Sequence, residues 1–346
     1  MKLLLHRIAL PLRHVFTISR GSTAVYEALL VELRQDGVSG YGEAGESDYY
    51  GATLQNMTEA LERVRGLVEA ARPDAPEHLW EQLRPQLAGN SFAQCALDTA
   101  AHDLWGKLCG QPVWQLWGLE LRHLPPTDYT IGIDTLERMV AKLEEFPGWP
   151  VYKIKLGTPD DLEIVRQLRR HTDALFRVDA NCAWDAATAI RNSAGLAELG
   201  VEFIEQPLPP DQWHGMKEVV VRSALPLIAD ESCRFEPDVD RCFPFFHGVN
   251  VKLVKCGGLT PARRMIQRAR QLGLQTMIGC MTESSVGISA VAQLLPMVDY
   301  ADLDGALLLA RDAATGVTID RGRVHFPDEN GCGVRLLAQA DEQVRQ

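Results

Sequence analysis

The feature that most constrains this chain is a rhythm that begins near residue 128 and runs to its last quarter. Short segments rich in β-formers alternate with segments of helical periodicity. Strands are expected at 128–133, 151–156, 175–180, 201–205, 227–230, 248–254, 275–278 and 301–304. Helices are expected between them, among them 160–171, 186–199, 261–272 and 285–295. Such alternation requires parallel pairing with right-handed crossovers. Eight strands suit a closed barrel, and a doubly wound open sheet gives a similar string.

The first 50 residues read as strands, with a hairpin turn at Gln35-Asp36-Gly37. Residues 53–117 turn helical, most clearly at 93–109, and Pro125-Pro126 marks a boundary. The tail after about Gly316 returns to strand-like character. The division expected is a capping domain over residues 1–122, completed by a tail of about 316–346, and a barrel over 123–315.

The charged residues follow the same rhythm. Lys153 and Lys155 end the second barrel strand, Asp179 the third, Glu205 the fourth and Asp230 the fifth. Lys155, Asp179, Glu205 and Asp230 stand at nearly equal steps along the chain, so each repeat delivers one charge at one height. In barrels of this kind the C-terminal face of the strands carries the active site. Strand alternation puts Lys153 and Lys155 on one face, and turns Arg177, Asp179, Asn181, Asn250 and Lys252 inward. By parity Lys255 should be a surface or loop lysine. Three carboxylates cannot gather uncompensated, and a hard divalent cation resolves the repulsion. A ligand set of oxygens alone favours Mg²⁺ over Zn²⁺. Two ammonium groups on one strand face should depress each other's pKa, which prepares a lysine base.

Composition narrows the field. The chain has 346 residues and a formal net charge of −11, which argues against nucleic-acid and anionic-membrane partners. No apolar run reaches the roughly 18 residues of a membrane span. His6 and Arg7 break the opening apolar run, a poor match to a signal peptide. Eight scattered cysteines without a CxxC pair read as reduced, mostly buried thiols of a cytoplasmic protein.

At these residues the chain resembles the enolase superfamily, in its muconate-lactonising subgroup. The resemblance spans nearly the whole chain. It rests on Lys153-x-Lys155, Asp179-x-Asn181, Glu205-Gln-Pro, Asp230-Glu-Ser, and Lys252 followed by Cys256-Gly-Gly. It implies an α/β fold, a modified (β/α)7β barrel with an N-terminal α+β capping domain. It further implies one Mg²⁺ per site on Asp179, Glu205 and Asp230, and Lys155 and Lys252 as acid/base residues. Lys153 then stabilises charge, and the chemistry passes through an enediolate. A homo-oligomer is a family expectation.

Two segments look like those of the dipeptide epimerases: Gly279-Cys280-Met281-Thr-Glu-Ser-Ser285 and Asp302-Leu-Asp304-Gly. In those enzymes the two aspartates bind the free ammonium of a dipeptide. The resemblance therefore implies 1,1-proton transfer at the C-terminal α-carbon of an L-Ala-L-X dipeptide. Phe16-Thr-Ile-Ser-Arg20-Gly-Ser22 and the loop of residues 45–51 resemble the epimerases' mouth loops. Arg20, Thr23, Tyr50, Asn181, Cys280 and Met281 are the substrate-binding candidates beside Asp302 and Asp304. There is one departure: the Ala-Glu branch should carry a basic residue where this chain has Thr23. The alternatives on the same barrel are N-acylamino-acid racemisation, o-succinylbenzoate synthesis and muconate cycloisomerisation. A non-catalytic binding barrel is the rival of another class.

Other motifs carry less. Gly40-Tyr-Gly42-Glu-Ala-Gly45 matches GxGxxG, but the segment downstream, where a dinucleotide site needs an acid-ended strand, is helical. Asn56-Met-Thr58 is a glycosylation triplet without a secretory context. His102, on an apolar helix, is expected to be a satisfied core residue, and Cys280 a packed thiol.

Overall fold

The structure, a computed structural model, describes residues 1–337; the end of the expected tail, 338–346, lies outside the described residues. Three antiparallel strands open the chain: β1 (Lys2–Ile18), β2 (Gly21–Gln35) and β3 (Val38–Gly45). The turn between β2 and β3 places Asp36 and Gly37 at φ 52° and 81°. Two positive φ values match the twist of the flanking strands, which is why Asp-Gly stands there.

Four helices follow: α1 (Leu54–Ala70), α2 (Pro76–Leu83), α3 (Ser91–Cys109) and α4 (Val113–Leu116). Asn56 is spent in a capping box at the start of α1, trading hydrogen bonds with Thr53 at 3.1 Å each way. Helix α3 is buried almost all round, because it lies between β3 and the barrel. The GxGxxG glycines make that approach possible. A Cβ at Gly40 would strike Ala100 and Leu104, and one at Gly42 would strike Ala96 and Thr99. The motif is a sheet-to-helix contact.

The barrel strands are β4 (Tyr129–Ile131), β5 (Val151–Lys155), β6 (Leu175–Asp179), β7 (Val201–Glu205), β8 (Leu227–Ala229), β9 (Gly248–Lys252), β10 (Gln275–Gly279) and β11 (Tyr300–Asp302). They pair in chain order, all parallel, and a parallel bridge between Thr127 and Ala301 brings the last strand to the first. The crossovers are α5 (Leu136–Glu145), α6 (Asp161–Arg169), α7 (Ala186–Glu198), α8 (Trp213–Arg222), α9 (Glu236–Cys242), the pair α10 (Leu253–Cys256) and α11 (Leu259–Leu272), and α12 (Ser285–Ala292). Seven connections and eight strands make a (β/α)7β barrel. The open-sheet alternative is excluded.

Beyond β11 the chain forms two small two-stranded sheets from β12 (Ala314–Thr315), β13 (Thr318–Asp320), β14 (Arg323–His325) and β15 (Arg335–Leu336). Residues 331–334 lie against α3: Asp103 accepts from the Cys332 N–H at 2.7 Å, and Lys107 donates to the Val334 carbonyl at 2.9 Å.

One expectation fails at the sixth barrel strand. It ends at Lys252, short of the expected 254, and α10 begins at once. The cause lies in Gly257 and Gly258, at φ 101° and 122°. A Cβ on Gly258 would strike the Asp98 carboxylate of α3, so the chain must turn sharply beneath that helix. Strand parity no longer applies past Lys252. Lys255, expected at the surface, is wholly buried.

Candidate active site

Register builds the centre. Lys155 pairs with Asp179, and Asp179 with Glu205, so three charged side chains stand at one level on β5, β6 and β7. Asp230 follows β8 immediately. One oxygen from each of Asp179, Glu205 and Asp230 lies within 4.8 Å of the others, and all three residues are buried.

Each carboxylate divides its two oxygens. The outer oxygens are held from behind. Asp179 Oδ1 accepts from the Asn181 N–H at 2.8 Å, and Glu205 Oε1 accepts from Asn250 Nδ2 at 2.7 Å. Asp230 Oδ1 accepts from Lys255 Nζ, which also donates to the carbonyls of Asp230 and Asn250 at 2.6 and 3.0 Å. The inner oxygens meet the other lysines. Lys155 Nζ donates to Asp179 Oδ2 at 2.7 Å, and Lys252 Nζ is 2.9 Å from Asp230 Oδ2. Lys153 Nζ is 2.7 Å from Glu205 Oε2 and 3.4 Å from Asp179 Oδ2. The Lys153–Glu205 approach is an ion pair without hydrogen-bond alignment, so Glu205 Oε2 is a buried oxygen lacking a directed donor among the described residues.

At Lys153 the expected depression is reversed. Burial pulls Lys153 and Lys252 down, but the surrounding carboxylates outweigh it. Asp302, Glu205 and Asp179 hold Lys153 well above its ordinary value. Asp230 and Glu205 raise Lys252, against a lowering push from Lys153. Adjacent acids thus set these lysines' charge more than the like charge beside them does.

Strand β11 and the turn that follows it supply the opposite wall. Asp302 Oδ2 accepts from Lys153 Nζ at 2.7 Å, and Asp304 Oδ2 accepts from the Thr130 N–H at 2.6 Å. Burial raises both acids, yet the lysines hold Asp302 at about 2, whereas Asp302 itself helps push Asp304 up to about 7. A cation arriving between them would favour both charges. Cys280 Sγ lies within 4.8 Å of oxygens from both aspartates. It is buried, as expected of a packed thiol.

A cavity of about 440 Å³ opens above this floor. Lys155, Lys252, Asp230, Cys280, Met281, Asp302 and Asp304 line it from the barrel, and Arg20, Thr23 and Tyr50 from the cap. Asn181 does not line it; the residue stands behind Asp179. Arg20 is engaged with the barrel. Its Nη1 lies 2.6 Å from Glu231 Oε1 and donates to the Asn181 carbonyl at 3.1 Å. Thr23 is exposed.

Sequence reasoning gives no role to Asn250, Lys255, Glu231 or Gln206. The inward parity of Asn250 is readable. Gln206 Oε1 accepts from the Asp230 and Ser232 N–H groups at 3.0 Å each, fixing the loop that presents Asp230. Only the Glu205-Gln-Pro string hints at it. His102 is buried as expected but incompletely satisfied: Nδ1 contacts the Asp98 carbonyl at 2.9 Å, while Nε2 has only a 3.9 Å approach to Glu77.

Residues 4–118 match the mandelate racemase/muconate lactonizing enzyme N-terminal domain family, and residues 135–340 match the enolase C-terminal domain-like family. The chain belongs to the mandelate racemase/muconate lactonizing enzyme family. Among its relatives, an L-Ala-D/L-amino acid epimerase of Flavobacterium johnsoniae is 54% identical over 97% of this chain and 100% of its own length. A second epimerase of that name, from Maribacter, is 52% identical over 97% of this chain and 99% of its own length. A solved dipeptide epimerase from Enterococcus faecalis, with Mg and L-Leu-L-Tyr, superposes with a TM-score of 0.91 at 30% identity, covering 96% of this chain and 98% of that one.

The acidic centre of this family member fits a hard cation. Its outer oxygens are tied back, its inner oxygens converge, and Glu205 Oε2 has no directed donor among the described residues. The ligand atoms are all carboxylate oxygens, the donor set suited to Mg²⁺.

Proposed function

We propose that this protein is a Mg²⁺-dependent dipeptide epimerase, an isomerase that inverts the α-carbon of a dipeptide's C-terminal residue. The observation that carries this reading is a three-sided cavity. Lys155 on β5 and Lys252 on β9 line it with Asp302, the last residue of β11, and Asp304, two residues beyond it.

Asp179, Glu205 and Asp230 would hold the cation. When bound, it supplies positive charge to the substrate carboxylate and so acidifies the adjacent C–H bond. The side chains do the rest. Asp302 and Asp304 bind the free α-ammonium and fix the dipeptide's direction. One of Lys155 Nζ and Lys252 Nζ removes the α-proton, and the other returns a proton to the opposite face. Lys153 stabilises the negative charge that develops on the carboxylate. The buried floor excludes water from the lysine heads, since each of the three is less than a tenth exposed. Arg20, Thr23, Tyr50 and Met281 form the wall for the second side chain, while Asn181 acts through Asp179. Relatives named for L-Ala-D/L-amino acid substrates support a broad second residue. With Thr23 where a basic residue would pair with glutamate, Ala-Glu is not the preferred substrate.

Residues 1–122 then serve as the cap and 123–315 as the catalytic barrel, with the tail from about 316 tying back to α3. We further propose a cytoplasmic homo-oligomer that binds neither nucleic acid nor membrane. No helix among the described residues is long and apolar enough to cross a membrane.

The test is deuterium incorporation at Cα from D₂O, with pooled L-Ala-L-X dipeptides, Mg²⁺ and an EDTA control. Metal-dependent exchange supports the epimerase. Exchange only with N-acylated amino acids would favour the racemase alternative, because Asp302 and Asp304 would then bind no ammonium. No exchange in any substrate by folded, metal-loaded protein would refute the proton-transfer reading.

A further inference from the structure

The turns that follow β10 and β11 meet at the cavity wall and bring a thiol to a pair of carboxylates. Cys280 Sγ and one oxygen each from Asp302 and Asp304 lie within 4.8 Å of one another, and all three residues are buried. Each also lines the catalytic cavity, so the group is reached from its mouth. Gly305 makes the meeting possible. A Cβ there would stand 3.2 Å from the Cys280 sulfur and would strike the Met281 carbonyl.

The two aspartates are oriented as the floor carboxylates are, each by one oxygen. Lys153 Nζ holds Asp302 Oδ2 at 2.7 Å, and the Thr130 N–H holds Asp304 Oδ2 at 2.6 Å, while Oδ1 of each takes no hydrogen bond among the described residues. Cys280 differs from the other buried thiols near the floor. Cys242 and Cys256 donate to backbone carbonyls at 3.5 Å, whereas Cys280 is in no disulfide and its S–H donates to no acceptor among the described residues. Instead the Gly305 N–H faces its sulfur, a contact that favours a thiolate. The carboxyl groups of Asp302, Glu283 and Asp304 act against that, and with burial they keep a proton on the sulfur. A dication among the three donors reverses the balance, because a coordinated thiol gives up its proton.

This cluster and the floor suit different metals. The floor offers oxygens alone. A thiolate with two carboxylates is a softer set, and three protein ligands with a side open to water are the pattern of an accessible zinc site. Lys153 Nζ stands between the two clusters, 2.7 Å from both Asp302 Oδ2 and Glu205 Oε2, so each keeps its own carboxylates. We propose that Cys280, Asp302 and Asp304 form a second metal site, which takes a soft divalent cation such as Zn²⁺ and, when filled, excludes the dipeptide. The sulfur and one oxygen of each aspartate bind the ion, the thiol proton leaves to solvent, and a water completes the shell. The site stands on its own geometry. The exclusion rests on the epimerase reading, in which the same aspartates hold the substrate ammonium.

The experiment titrates the full-length protein, in saturating Mg²⁺ and without a thiol reductant, with Cd²⁺ as the spectroscopic stand-in for Zn²⁺. The ultraviolet thiolate-to-cadmium charge-transfer band is followed in wild type, Cys280→Ser and Asp304→Asn. Cys109 and Cys182, the thiols nearer the surface, contribute equally to all three. The expected result is a saturable one-to-one band in wild type that Zn²⁺ displaces. Cys280→Ser should lose it, and Asp304→Asn should need about tenfold or more Cd²⁺ to reach it. A second arm adds Zn²⁺ to the epimerisation assay in saturating Mg²⁺. Inhibition should be competitive with the dipeptide, and Cys280→Ser should need about tenfold or more Zn²⁺ for half inhibition. An equal band in wild type and Cys280→Ser overturns the site, and so does its absence from both. Inhibition that the dipeptide does not relieve overturns the exclusion. If no dipeptide turns over at all, the epimerase reading fails while the band still decides the site. Should Cys280→Ser fail to fold by circular dichroism, Cys280→Ala takes its place.

Discussion

The floor and the mouth of the cavity are built on opposite principles. On the floor, each carboxylate is fixed twice, once by its strand or, for Asp230, by the turn that follows one, and once by a donor on its outer oxygen. Asn181, Asn250 and Lys255 leave Asp179, Glu205 and Asp230 little freedom. At the mouth, Thr23 is exposed and the Arg20 guanidinium is committed to Glu231. A cavity whose reaction is held rigidly and whose specificity wall hangs on an exposed hairpin end and loops can change substrate without touching its chemistry.

The largest effect should come from the floor. Lys155→Ala and Lys252→Ala are each expected to lower the epimerisation rate by ~1,000-fold or more, because inversion needs a proton-transfer group on both faces. Each single variant should retain exchange of one epimer's α-proton in D₂O. Circular dichroism of the product pool reports the first quantity, and mass spectrometry the second. Full epimerisation by both variants would dissolve the two-base assignment.

Lys255→Met probes the outer ring. It leaves Asp230 Oδ1 and the Asn250 carbonyl without the buried ammonium they share. Mg²⁺ affinity, read by titration calorimetry, should fall roughly 10–100-fold, as it does when the group orienting a metal ligand is lost. Stability should fall as well, by about 3–5 kcal/mol, since a buried ion pair is broken from one side. Unchanged affinity in the folded variant would show that the floor does not depend on its outer donors.

The mouth should be more forgiving. Thr23→Lys is expected to raise kcat/KM for L-Ala-L-Glu relative to L-Ala-L-Gln by about two- to tenfold, the scale of one solvent-exposed charge pair. It should leave kcat for neutral dipeptides within about twofold. A change as large as the lysine variants give would mean that Thr23 touches the reacting atoms, and the contrast between floor and mouth would fail.

The same contrast governs what can be read from the sequence. The near-equal spacing of Lys155, Asp179, Glu205 and Asp230 betrays the barrel, because a parallel (β/α) repeat must return each strand end to one rim. Parity then places Lys153, Lys155, Asp179 and Lys252 correctly. It fails at Lys255, where Gly257 and Gly258 bend the chain under α3 and end the strand early. Parity has nothing to say beyond a strand's last hydrogen bond. Strand-by-strand reading also misjudges the lysine charge states: it weighs the neighbouring ammonium groups and omits the carboxylates of β6, β7, β11 and the β8 loop. At the mouth, loop residues lack any period. That Arg20 turns to Glu231, far away in the chain, follows only from how the cap sits on the barrel.

The joint between floor and mouth gives the smallest and most specific prediction. Glu43, on β3 of the cap, reaches the start of α12 in the barrel. Its carboxylate accepts from the Ser284 N–H at 2.7 Å, the Ser284 hydroxyl at 2.6 Å and the Gly287 N–H at 3.2 Å. Those donors and the helix N-terminus favour the charged form. Complete burial and the nearby Glu283 oppose it more strongly, and burial, with that repulsion, pushes Glu43 up to about 8. In the unfolded chain the same group titrates near 4.5. Between these values the folded protein holds a proton that the unfolded chain has released. Stability therefore falls as pH rises from about 5 to 8, by a contribution on the order of 1–3 kcal/mol. In Glu43→Gln that contribution vanishes: the amide keeps an acceptor for the Ser284 and Gly287 N–H groups and cannot ionise. Urea unfolding at pH 5, 6, 7 and 8 should show wild type losing ground to Glu43→Gln at each step. Parallel curves would mean that the three donors keep Glu43 charged throughout, and that the cap is tied to the barrel by a carboxylate at a helix end instead of by a neutral acid.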